Sequence, residues 1–78
     1  MNITILFFGL LAEETRTSIL ELNTASLKLR DLENEVLDLF PMLKNLTYGI
    51  AVNEIIVQNN VKLSPGSKVA FLPPFAGG

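Results

Sequence analysis

The chain has 78 residues, with six basic and eight acidic side chains, a net charge of -2, and neither cysteine nor histidine. That length fits one small domain, which buries only about 60% of the surface its unfolded chain exposes. The counts exclude disulfides, cysteine-based zinc sites and a persulfide carried on this chain. They also remove the commonest general base and metal ligand.

No segment clusters Lys or Arg, so nucleic acid and anionic membrane lose their electrostatic basis. Apolar side chains make up 49% of the residues; once glycine is counted, this is slightly above the roughly 45–50% of an average domain. In a domain this small the surplus implies apolar side chains left at the surface, which favours a protein–protein interface. Ile3 to Ala12 is apolar, but no positively charged segment precedes it and no small-x-small cleavage site follows. The segment therefore reads as a buried strand and the protein as cytoplasmic. No run approaches the ~20 apolar residues of a membrane span.

Residues 3–8 are β-branched and aromatic up to Gly9, and read as a strand. Alternation puts Ile3, Ile5 and Phe7 on one face and Thr4, Leu6 and Phe8 on the other. Residues 10–14 read as a short helical turn and 15–22 as a second strand, paired with the first as a hairpin. Between 27 and 40, Leu29, Leu32, Val36, Leu39, Phe40 and Leu43 recur at three- and four-residue steps. Arg30, Glu33, Asn34, Glu35 and Asp38 fill much of the other side, which makes an amphipathic helix with one core face. Thr24 or Ser26 is the expected cap, and Pro41 the expected terminator, because the residue before a proline disfavours the helical region.

Residues 50–53 and 55–57 read as short strands joined at Asn53-Glu54. Asn59-Asn60 and Ser64-Pro65-Gly66 are turn signals. A last strand, Lys68 to Leu72, alternates Val69 and Phe71 against Ala70 and Leu72. Pro73-Pro74 then stops the ladder, since proline has no N–H to donate. The order β-β-α-β-β-β with a single helix implies an α+β fold, a mixed sheet covered by that helix on one face. The helix-covered side holds Ile3, Ile5 and Phe7. The opposite face displays Leu6, Phe8, Ala70 and Leu72, the expected partner interface.

Little catalytic chemistry is available. Glu13, Glu14, Asp31, Glu33, Glu35 and Asp38 read as solvated surface carboxylates, and Lys28, Lys44, Lys62 and Lys68 are scattered. Ser and Thr have no histidine to activate them, and Gly9, Gly49 and Gly66 are isolated rather than forming a phosphate-cradling loop.

The C-terminus differs. Pro73-Pro74 stiffens the exit from the sheet, and the last two residues, Gly77-Gly78, have no Cβ and can thread a narrow channel. Such an end delivers a bare α-carboxylate into another protein's active site. A carboxylate becomes a good electrophile once adenylated, and attack by a sulfur nucleophile on the mixed anhydride leaves a thiocarboxylate on Gly78.

The ending Val69-Ala70-Phe71-Leu72-Pro73-Pro74-Phe75-Ala76-Gly77-Gly78 resembles that of the molybdopterin synthase small subunits, ubiquitin-like sulfur carriers of molybdenum cofactor synthesis. Ile5-Leu6-Phe7-Phe8-Gly9 and Ala51-Val52-Asn53 resemble them at the expected distances. The resemblance implies a ubiquitin-like β-grasp domain over 1–74 and a flexible Gly-Gly tail over 75–78. It further implies an E1-like adenylating enzyme that uses ATP and magnesium to activate Gly78, and a sulfur donor protein that completes the thiocarboxylate. The tail residues Pro73, Pro74, Phe75, Ala76 and Gly77 would then enter the large synthase subunit in a heterotetramer, where sulfur passes to cyclic pyranopterin monophosphate. On this reading the chain holds no cofactor of its own.

The turn before the last strand usually reads Gly-Asp in that family. Here it is Gly66-Ser67, a difference expected to touch the partner surface more than the carrier role. Two other readings stand beside it: a ubiquitin-like modifier joined through its terminal glycine to a target lysine, and a β-grasp interaction module with an unreactive tail.

Overall fold

A computed structural model describes residues 1–74. Its elements are β1 (Asn2–Phe7), α1 (Leu10–Thr15), β2 (Ile19–Asn23), α2 (Leu29–Leu39), a 3₁₀ turn (Pro41–Asn45), β3 (Gly49–Val52), β4 (Ile55–Val57) and β5 (Lys68–Leu72). The strands form one sheet in the order β2-β1-β5-β3-β4, with β1 and β5 parallel and the other neighbours antiparallel. This is the expected mixed sheet with one main helix on one face.

The core lies between that face and α2. Ile3, Ile5 and Phe7 of β1, Ile50 of β3, and Val69 and Phe71 of β5 pack against Leu29, Leu32 and Val36 of α2 and Leu43 of the 3₁₀ turn. Phe7 sits between two aromatic rings, with centroids 5.4 Å from Phe40 and 5.5 Å from Phe71. Burial of this set, at ~1.5–3 kcal/mol per large apolar side chain, is the main favourable term holding helix to sheet.

Four expectations are corrected. The strand expected at 15–22 occupies Ile19–Asn23. The Thr15 hydroxyl donates to the Leu11 carbonyl at 2.8 Å, and Arg16 turns left-handed at φ 61°, which closes α1 before the strand begins.

Neither Thr24 nor Ser26 caps α2. Both hydroxyls donate to the Glu35 carboxylate instead, tying the loop down onto the helix side. The backbone N–H of Arg30 is taken by Asn60 Oδ1 at 2.8 Å, so a side chain from a distant loop caps the first turn.

Leu39 is 54% exposed and off the core face. The helix ends there because Phe40 precedes Pro41 and takes φ −130°, ψ 74°; the 3₁₀ turn then swings Leu43 into the core.

The carboxylates are not uniformly solvated. Besides Glu35, Glu33 receives the Tyr48 hydroxyl at 2.5 Å and Arg30 at 3.3 Å.

The turns set the registers. Asn53 and Glu54 both have positive φ, 50° and 71°, which suits a two-residue hairpin of type I′ and pairs Val52 with Ile55. In Ser64-Pro65-Gly66-Ser67 the N–H of Ser67 donates to the Ser64 carbonyl at 3.0 Å and Gly66 has φ 80°, as a type II turn requires. Ser67 is buried and its hydroxyl accepts from the N–H of Ser64 at 3.1 Å. It belongs to the turn, and not to an exposed partner surface.

Candidate functional site on the open sheet face

The face away from α2 is built by strand alternation. Registers place Ile19, Leu6, Ala70, Ala51 and Ile56 directly opposite one another across all five strands, so their side chains form one apolar row. Phe8, 46% exposed, and Leu72 extend the patch toward the end of β5. One step toward the start of β5 the next row turns polar. There Thr4 lies between Glu21 and Lys68, and its hydroxyl donates to Glu21 at 2.8 Å.

A concavity of about 420 Å³ on this face is lined by Leu6, Phe8, Ala51, Ile56, Ala70 and Leu72, with Lys68 and Glu54 at its edge. The four residues expected from the sequence, Leu6, Phe8, Ala70 and Leu72, therefore do meet on one surface. Sequence reasoning missed Ile19, Ala51 and Ile56. The alternation in β2 and the two-residue hairpin at Asn53-Glu54 were the signals that would have found them.

This patch leads to the chain exit. β5 is the central strand, held by β1 and β3, and its last residue Leu72 pairs with Gly49. Pro73 follows, half-buried, and Pro74 is exposed. Gly9, at φ 55° and ψ −132°, lies so near Pro73 that a Cβ there would be 3.1 Å from the Pro73 Cγ. The end of β1 and the exit of β5 thus close on one another because residue 9 has no side chain. The sequence-expected Phe75, Ala76, Gly77 and Gly78 lie outside the described residues.

On the helix side, Tyr48 packs on Phe71 with centroids 5.2 Å apart. Burial, and then its hydrogen bond and charge repulsion with Glu33, raise the Tyr48 hydroxyl above its ordinary 10.0, with Arg30 opposing. The phenol stays protonated and acts as a brace. Among the described residues no group of three acidic side chains is placed to hold a metal, and no helix is long and apolar enough to cross a membrane.

The model of the ThiS family matches residues 5–78, nearly the whole chain. The chain belongs to the ThiS family. That family is one of ubiquitin-like sulfur carriers, which are not catalysts acting alone, and this chain has their fold.

Solved structures agree on the fold. A putative molybdopterin converting factor subunit 1 from Pyrococcus furiosus superposes with a TM-score of 0.86 at 20% identity, covering 96% of this chain and 99% of that one. SAMP1, a small archaeal modifier protein from Haloferax volcanii, gives 0.84 at 16% identity with 100% of both chains covered. A chain in the complex of subunits 1 and 2 of the molybdopterin-converting factor from Helicobacter pylori gives 0.74 at 26% identity, again with 100% of both covered. The expected ubiquitin-like β-grasp holds for this ThiS-family chain, including its parallel β1–β5 centre.

Proposed function

We propose that the protein is the sulfur-carrier small subunit of a molybdopterin synthase. Its open sheet face docks on the large subunit while the C-terminal tail enters that subunit's active site. The observation that carries this reading is the placement of the exit: the central strand ends beside a continuous apolar row on the face that no helix covers. The likeness to a chain seen in a complex of molybdopterin-converting factor subunits supports it.

In this reading the Gly78 carboxylate attacks the α-phosphorus of ATP on a partner adenylating enzyme, and pyrophosphate leaves. A hydrosulfide ion supplied by a donor protein attacks the acyl carbon, AMP departs with the electron pair of the broken C–O bond, and loss of the S–H proton leaves the thiocarboxylate. In the large subunit that sulfur displaces an oxygen substituent of cyclic pyranopterin monophosphate, and water then cleaves the acyl C–S bond, which leaves the sulfur on the pterin and restores the Gly78 carboxylate. Four extended residues beyond Pro74 reach at most about 14 Å. The acceptor site must therefore lie close to the docked face, and one residue more or less displaces the carboxylate by roughly 3.5 Å.

A second reading has its own support. The full-length likeness to SAMP1 favours a protein modifier whose terminal glycine is joined to a target lysine. Both readings share the activation chemistry, and one measurement separates them. The protein is incubated with an adenylating enzyme, ATP, magnesium and a sulfur donor, and its intact mass is taken. The carrier gains the mass of one oxygen-to-sulfur exchange; the modifier appears as a stable adduct on another chain. No ATP-dependent change sinks both.

A further inference from the structure

The sheet has two edges, β2 and β4, and they differ in a way that bears on self-association. Hydrogen bonds from Phe7 N–H to the Ser18 carbonyl and from Thr24 N–H to the Met1 carbonyl fix the phase of the β1–β2 ladder. Leu20 and Leu22 face β1, so the backbone groups of Ile19, Glu21 and Asn23 point outward. Two such edges pairing about a two-fold axis at the strand centre would set Glu21 directly against Glu21 of the second copy. Like charges directly opposite are destabilising. That edge is closed to its own image.

β4 carries no such guard. The bond from Asn53 N–H to the Lys68 carbonyl places the backbone groups of Ala51 toward β5 and those of Ile50 and Val52 toward β4. Ile56, opposite Ala51, therefore presents its N–H and carbonyl outward. Its strand is Ile-Ile-Val, without charge or proline, and Ile55 and Ile56 are 68% and 56% exposed. Natural sheets usually protect an edge with a charge, a proline, a bulge or a very short strand, and of these β4 has only its three-residue length.

We propose that β4 is a self-pairing edge, at which a second copy of this chain joins antiparallel about a two-fold axis at Ile56. The two Ile56 residues exchange a pair of backbone hydrogen bonds, and their side chains meet on the open face. Ile55 of each copy lies opposite Val57 of the other on the helix side. The incoming Ile55 packs on Val57, at the rim of a largely polar cleft of about 300 Å³ that Arg30, Glu33 and Gln58 also line. The flanking pair would be Glu54 with Gln58, so no like charges meet. β5 ends two strands inside each edge, so Leu72 and Pro73 lie away from the seam of the dimer. This inference does not depend on the carrier reading.

Three paired residues on each side bury far less than the roughly 1,000 Å² of a stable interface, so association is weak. The test is concentration-dependent NMR of the free chain with sedimentation alongside. The Ile56 amide is expected to shift and gain exchange protection as concentration rises toward about 1 mM, with Ile55 and Val57 following. Ile55→Lys and Ile56→Lys, both at exposed positions, are expected to abolish the shift while circular dichroism stays unchanged. An Ile56 amide indifferent to concentration overturns the proposal. So does a dimer that survives both lysine variants, or shifts confined to Leu6, Phe8 and Leu72, which would mean face-to-face pairing.

Discussion

Single side chains in this protein act chiefly by what they allow the backbone to do. Gly9 permits the contact between the start of α1 and Pro73, and it does so in a conformation L-residues avoid. Gly9→Ala should lose about 1–3 kcal/mol from backbone strain alone. The check is a lower urea midpoint with an unchanged slope, since the exposed surface on unfolding stays the same. Tyr48 braces Glu33 on the helix side of the sheet. Because the folded protein holds its phenol above 10.0, the stability it contributes is complete below that value and is lost as pH rises beyond it. Unfolding free energy should therefore fall above about pH 10, and Tyr48→Phe should remove that component of the decline while lowering stability below about pH 10 through the lost hydrogen bond. Position 48 carried no signal in the sequence, since its partner is fifteen residues away on a helix.

At the scale of elements, strand identity was legible and helix boundaries were less so. Alternating apolar residues placed β1 and β5 correctly because one face of each is sealed against α2. Capping was misassigned because Thr24 and Ser26 sit where a local cap would sit, yet their hydroxyls find Glu35. The actual cap, Asn60, comes from a loop thirty residues on. Asn60→Ala should cost ~0.5–2 kcal/mol and raise hydrogen exchange first at the Arg30 amide. A control change at the exposed Asn59 should leave that amide as it was. Leu39 misled in the same way: its helical spacing fits the core stripe, but it is the last residue of the helix and its side chain stays exposed.

At the scale of the whole molecule, the asymmetry between the two sheet faces is the property that matters. One face is sealed by α2, and the other leaves a row of apolar side chains uncovered. Under the proposed function, Leu6→Glu should leave the fold intact, because Leu6 is only half-buried, yet weaken binding to the large subunit by about 30-fold or more, the ~2 kcal/mol of a lost hot spot. Titration of the purified subunits by calorimetry measures it. Deletion of Gly78 is the complement: under the same proposal complex formation should persist and sulfur transfer be lost. An active deletion variant would overturn the tail mechanism.

The sequence by itself determined the limits on chemistry: without His or Cys, the domain has neither the commonest general base nor a thiol. It also determined the strand faces, since alternation is a local property of an extended chain. Only the tertiary structure decided which strands neighbour one another. That decision joined Ile19, Ala51 and Ile56 to Leu6 and Ala70 in a single row, guarded one edge with Glu21 and left the other open at Ile56. The reason is that strand order and register arise from packing and turn geometry acting between residues far apart in the chain, where no local pattern records them.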